Sequence, residues 1–246
     1  MLTDKVAIER LNRLTKYPKT LNYHVRSMDK GGYLTNERNY VDFLGSNIYV
    51  TEKLDGTNMR VIISRLGLNG QIFIGSRNNI LYSSEDGGTY FSSDMRDVVD
   101  TLIEFAEHAK KTIYGNKMTY PMYVFYVEVF GGKINNSKNY TTNKRIFYRV
   151  FSVAVLMEKA FGYFIDGTLC GDEFDEWLMN EGVVFLGYGD VIDYCNHLDV
   201  AYAPVVDVFV NDGKRIPLPD TVFKAYEFFL KGNERCAVSG VDGVVS

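Results

Sequence analysis

The chain has 246 residues, 46% hydrophobic and 14% aromatic, which suits one large domain, or one domain with a small appendage, and a sizeable core. Its net charge of -4 excludes a protein coated in basic surface, so any nucleic-acid contact has to come from a local patch. Cys170, Cys195 and Cys236 are widely spaced, with only His24, His108 and His197 beside them, which excludes a zinc site and a disulfide framework and fits a reducing cytoplasm. The charged, amphipathic N-terminus reads neither as a signal peptide nor as a membrane span.

In chain order, Thr3 can cap a helix that turns Val6, Ile8, Leu11 and Leu14 towards a core. Residues 15 to 45 read as a polar and aromatic loop with a turn at Gly31-Gly32, and carry Arg26, Lys30 and Arg38. Ile48 and Val50 then alternate with polar neighbours, Asp55-Gly56 signals a hairpin turn, and Met59, Val61, Ile62 and Ile63 form a second apolar run. This pattern predicts Lys53 at the rim of a sheet. A turn at Asn69-Gly70 leads into a strand over 71–75, which ends in Ser76-Arg77-Asn78.

The clearest helix covers 94 to 112, with Val98, Val99, Leu102, Ile103, Ala106 and Ala109 on one stripe, Ser93 or Asp94 as cap and Gly115 after its end. Residues 122–132 are β-rich and interrupted by one acid, Glu128. Lys133, Lys138, Lys144 and Arg145, with Tyr140 among them, make a basic and aromatic segment. Another strand covers 145–153. A helix near 172–180 ends on Gly182 as its C-cap, and 183–185 form a structural strand. Pro219 to Lys231 reads as a helix with Val222, Phe223, Tyr226, Phe229 and Leu230 inward and Gly232 at its end.

The residues alone leave alternatives open. An amine is a nucleophile only without its proton, so Lys53 reads either as a nucleophile or as a surface lysine beside a turn. Arg77 is a phosphate-gripping side chain or an exposed loop arginine. Glu128 is a partnered acid in an apolar strand or an acid on a solvated face. Phe151 reads as core.

The string Glu52-Lys53-Leu54-Asp55-Gly56-Thr57-Asn58 resembles the K-x-D-G-x-N signature of the covalent nucleotidyltransferases, the polynucleotide ligases and RNA capping enzymes, and most of all the RNA ligase 2 type. Aromatic-x-Glu at Tyr126-Val127-Glu128 resembles the third motif of that family, and the strand at 145–153 the next, with Phe151 at the purine-stacking position and Ser152 where the family has Asp. Glu181-Gly182-Val183-Val184 resembles the fourth motif but lies too close to Glu128. The better match is Val241-Asp242-Gly243-Val244-Val245, with Asp in place of Glu. The fifth motif, a pair of lysines, would follow Ser246.

The resemblance implies an α+β nucleotidyltransferase domain of two mainly antiparallel sheets with flanking helices. It would be a single adenylation domain over 1–246, with no appended C-terminal domain in this chain. It implies an ATP-dependent RNA ligase in which Lys53 takes up AMP. Glu52, Asp55, Gly56, Asn58, Glu128, Phe151 and Asp242 would contact the nucleotide, and Glu128 and Asp242 would also organise Mg²⁺. Arg77 would meet the RNA end. The expected protein is a cytoplasmic monomer that works on broken RNA and not at a membrane. A DNA ligase or capping guanylyltransferase with the same lysine, or a non-catalytic RNA-binding module, is the alternative.

Overall fold

The computed structural model describes residues 5–19, 24–27, 33–38, 47–134 (except 68, 94 and 118 and the side chain of 86), 145–167, 173–177 (except 175), 182–210 (except the side chains of 206 and 207) and 221–224 (except 222). The chain divides into two compact units. The first contains Met1–Tyr17, Leu54–Lys138 and Asn143–Tyr202, and the second Pro18–Lys53, Asn139–Thr142 and Ala203–Ser246.

The first unit is built on a seven-stranded antiparallel sheet. Its strands are β4 (Thr57–Ser64), β5 (Gln71–Ser76), β6 (Ile80–Ser83), β7 (Thr89–Tyr90), β8 (Met122–Gly131), β9 (Ile146–Leu156) and β10 (Val184–Phe185), in the order β10-β9-β8-β4-β5-β6-β7. Helices cover both faces. On one lie α2 (Arg96–Gly115) and α4 (Tyr188–His197), whose Val98, Val99, Leu102, Phe105, Val191 and Cys195 pack on Val61, Ile63, Phe125 and Val153. On the other lie α1 (Lys5–Leu14) and α3 (Glu158–Asp166), whose Leu11, Leu14, Phe161 and Phe164 pack on Ile62, Val124, Ala154 and Leu156. Cover on both faces explains why β8 is a continuous apolar run rather than an alternating one. Only Glu128 breaks the buried pattern of that strand.

Among the described residues, the second unit holds two short antiparallel ladders. In one, β1 (His24–Arg26) pairs with β2 (Leu34–Arg38), and in the other β3 (Ile48–Thr51) pairs with β11 (Val205–Phe209). The architecture is α+β with antiparallel sheets and flanking helices, as expected.

Four local expectations are corrected. Val6 is 60% exposed and does not join the core, because α1 buries only Leu11 and Leu14. Part of the loop expected over 15 to 45 is the β1–β2 ribbon, whose β2 is largely exposed and therefore lacks apolar alternation. The cap of α2 is Met95, in the left-handed region at φ 58 with no side-chain cap bond, and the helix runs through Gly115. Asp55-Gly56 is not a hairpin turn: β3 pairs with β11, whereas β4 pairs with β5 and β8.

The helix expected over 219–231 falls almost wholly outside the described residues, and Phe223, expected inward and described, is 69% exposed instead. Lys30, Lys138, Tyr140, Lys144, Glu181 and Asp242 also lie outside the described residues.

Candidate functional site

In the second unit, Ile48 pairs with Phe209 and Thr51 with Val205. The Glu52 N–H donates to the Pro204 carbonyl at 2.9 Å, which carries the ladder one residue further. Lys53 is the first residue beyond it and is exposed, while Glu52 is half-buried. The expectation of a lysine at a sheet rim therefore holds, although the strand partner is remote in sequence.

In the first unit, the Gly56 N–H donates to Glu128 Oε1 at 3.1 Å. A Cβ on Gly56 would lie 2.3 Å from the Val129 carbonyl oxygen and 3.1 Å from Glu128 Cγ. Gly56 has no positive φ, so the glycine is required by the close passage of β8 and not by a turn. Asp55 beside it is exposed.

Register sets the surroundings of Glu128. Asn58 on β4 and Arg149 on β9 both lie opposite it, which puts the three side chains on one face. Arg149 is half-buried, and desolvation pulls its guanidinium below the ordinary arginine value. Two residues along the same face lie Arg60 and Tyr126, both buried. Burial pushes the Tyr126 hydroxyl up from its ordinary value.

Phe151 sits at a β-bulge. Tyr126 pairs with Ser152 and Val127 with Val150, which leaves Phe151 without a partner across the ladder. Bulges re-aim side chains and concentrate near functional sites. The Phe151 ring meets Tyr17 edge-on at 5.1 Å, and Tyr17 also meets Tyr126 at 4.8 Å and Phe185 at 5.7 Å. Burial raises the Tyr17 hydroxyl, partly offset by its hydrogen bond to Ser152. Ser152, which stands where an Asp was expected, is thus engaged by an aromatic hydroxyl.

Arg77 is exposed on the short β5–β6 loop, which the Ser76 N–H closes onto the Asn79 carbonyl at 2.8 Å. Ser76 pairs with Met59, so Arg77 leaves the sheet at the same end as Asn58 and Glu128.

The first unit thus gathers a carboxylate, an amide, three arginines and an aromatic cluster around one end of its sheet. Such a set suits a ligand with a flat ring and phosphates. Among the described residues, no three His, Cys, Asp or Glu side chains come together as a metal site.

Sequence reasoning missed Arg149 and Tyr17. Arg149 carried a usable signal, a charge inside an apolar strand, of the same kind that singled out Glu128. Tyr17 carried none, because its place in the cluster comes from contacts remote in sequence.

A profile of the RNA ligase family matches residues 46–233. No curated protein matches the chain. Among solved structures it is similar to mutants of Naegleria gruberi RNA ligase with ATP and Mn (15% identity, TM-score 0.40, covering 68% of this chain and 38% of that one) and with AMP and Mn (14%, 0.41, 79% and 49%). It is also similar to that ligase with PPi (14%, 0.40, 79% and 49%). The chain spans less than half the length of each of these three. With three quarters of its length matched by one family profile, the chain belongs to the RNA ligase family.

Proposed function

We propose that this chain is the adenylating domain of an ATP-dependent RNA ligase, with both units forming one nucleotidyltransferase domain over 1–246. The observation that carries the reading is that the residues directly after Lys53 are tied to the acid of the later strand, through the bond from the Gly56 amide to Glu128. The family profile, which runs through both units, also supports it.

In the first step the Lys53 amine attacks the α-phosphorus of ATP. A P–N bond forms, the bond to the β-phosphate oxygen breaks, and pyrophosphate leaves. An oxygen of an RNA 5′ phosphate then attacks the same phosphorus and releases the lysine. Finally a 3′ hydroxyl attacks the activated 5′ phosphate, AMP leaves and the strand is sealed. Glu52, Asp55, Gly56 and Asn58 hold ribose and phosphates, Phe151 stacks on the purine and Arg77 grips the RNA 5′ end. Asp242, outside the described residues, completes this set.

Mg²⁺ sites of this kind use one or two carboxylates together with substrate phosphates, so a single acid such as Glu128 fits without a three-ligand cluster. The ion supplies neutralisation of the charge that gathers on the phosphoryl oxygens. The protein is further read as a monomer of the cytoplasm; among the described residues no helix is long and apolar enough to cross a membrane.

Intact mass after incubation with ATP and Mg²⁺ tests the proposal. The expected result is a gain of one AMP, absent in Lys53→Ala. GTP in place of ATP, and DNA in place of RNA ends, separate this reading from capping and DNA-joining enzymes. RNA binding with no adduct in any of these would overturn it in favour of a binding module.

A further inference from the structure

Arg60 lies in β4, 1% exposed, without an acidic partner among the described residues. A guanidinium so placed needs strong acceptors, because an uncompensated buried charge is costly. It finds both on one residue of α1. Nη1 donates to the Asn12 carbonyl oxygen at 3.0 Å, and Nη2 donates to Asn12 Oδ1. The other end of the same amide reaches the loop that carries Arg77: Asn12 Nδ2 donates to the Asn78 carbonyl oxygen at 2.6 Å.

The chemistry of the three groups fixes this chain in one direction. A guanidinium only donates, so the Asn12 amide has to present its oxygen to Arg60 and its NH₂ group to Asn78. Leu11 and Leu14 are buried on the same helix and hold Asn12 in place. The guanidinium also lies against β5 one residue before the loop begins, since a Cβ on Gly75 would come within 2.6 Å of Arg60 Nε. The loop is therefore tied to the strand that follows Lys53 by an asparagine and a buried cation.

We propose that Asn12 and Arg60 are positioning residues for Arg77, holding its loop in the orientation that meets the RNA 5′ phosphate. The inference rests on the reading of Arg77 given above. In this role both act through the loop that carries Arg77, not on the reacting atoms themselves. Together they fix where the carbonyl next to Arg77 points, and so limit the directions its side chain can take.

Asn12→Asp separates this role from simple support of the fold. A carboxylate keeps the acceptor for Arg60 and adds a charge to the pair, but it has no hydrogen to give to Asn78. A merely structural Asn12 predicts that this variant behaves like the parent or is more stable. Positioning predicts a thermal midpoint no lower than the parent's, faster amide exchange in residues 76–79 and weaker recognition of the phosphate. The readout is affinity, without ATP, for one oligoribonucleotide bearing either a 5′ phosphate or a 5′ hydroxyl. The expected preference for phosphate falls about fivefold in Asn12→Asp, the scale of one neutral hydrogen bond. It is lost in Arg77→Ala, and the double variant loses no more. If Arg77→Ala loses the preference while Asn12→Asp keeps both it and the exchange rates, the positioning inference is overturned and the reading of Arg77 stands. If Arg77→Ala keeps the preference, the reading of Arg77 itself is overturned.

Discussion

The Gly56 amide and the Glu128 carboxylate, 72 positions apart in the chain, are joined by a 3.1 Å hydrogen bond. The acceptor is a carboxylate, and bonds of that kind are stronger than those between neutral groups. The bond fixes the segment after Lys53 against the middle of the sheet. It also limits which way the Glu128 carboxylate turns.

Two substitutions separate the structural from the chemical share of that acid. Glu128→Gln keeps an amide oxygen for Gly56 and is expected to cost no more than about 1 kcal/mol of stability. Glu128→Ala leaves the Gly56 N–H without this acceptor and is expected to cost about 1–3 kcal/mol. Both are expected to lose most of the adenylate formed with ATP and Mg²⁺, because both remove the negative charge. Thermal midpoints and intact mass measured on the same samples check this. A Gln variant as active as the parent would assign Glu128 to the fold alone.

Gly56→Ala tests the close approach of β8. Its Cβ would meet the Val129 carbonyl oxygen at 2.3 Å, and that oxygen is backbone that cannot swing away. Overpacking of this kind costs about 1–3 kcal/mol. Gly115→Ala is the control. Nothing lies within 4 Å of its added Cβ, the position has no positive φ, and it sits in the last turn of α2. There alanine is expected to stabilise by about 0.5–1 kcal/mol, because glycine gives up more backbone freedom in a helix. Opposite shifts of the urea midpoint are the expected pair of outcomes.

What the sequence made readable follows from the range of the interactions. β4, β8, β9 and α2 are long and strongly patterned, and local apolar spacing suffices to place them. Glu128 stood out as an acid inside an apolar run, whereas Lys53 and Arg77 stood out through the resemblance, the first within a seven-residue motif and the second as the basic residue after a strand. The partner of β3 was not readable, since β11 lies some 150 residues further on. Asp55-Gly56 misled for a related reason. The glycine answers to a strand 73 positions away, and a local turn rule cannot express that. The bulge at Phe151 depends on the register of β8 against β9, which composition does not set. The link from Arg60 through Asn12 exists only once α1 has packed on the sheet.

The Arg65–Glu158 pair looks strong in geometry, with two bonds at 2.7 and 2.6 Å. Its side chains are 48% and 62% exposed, however, so water and salt compete with both charges. Exposed pairs are worth about 0.2–1 kcal/mol. Glu158→Gln is therefore expected to lower the thermal midpoint only slightly, and less at 1 M salt than at low salt. A loss comparable to that of Gly56→Ala would show that exposure understates this pair.

Cys195 gives the alkaline limit of the fold. It is fully buried on α4, and burial pushes its thiol up from 9.0 to about 12. The thiolate is the reactive form, so the native protein is expected to leave Cys195 unalkylated at pH 8 and to expose it only on unfolding. The raised value also has a definite sign for stability. Above pH 9 the unfolded chain releases this proton while the folded chain keeps it, so unfolding is favoured as pH rises. The slope approaches about 1.4 kcal/mol per pH unit between the two values. Tyr126, Tyr188 and Tyr194 are raised by burial as well and act in the same direction, but from their ordinary value of 10.0. The interval from pH 9 to 10 therefore belongs mainly to the thiol. Urea midpoints are expected to fall across it in the parent and to fall less in Cys195→Ala, and equal slopes in the two would remove the thiol as the cause.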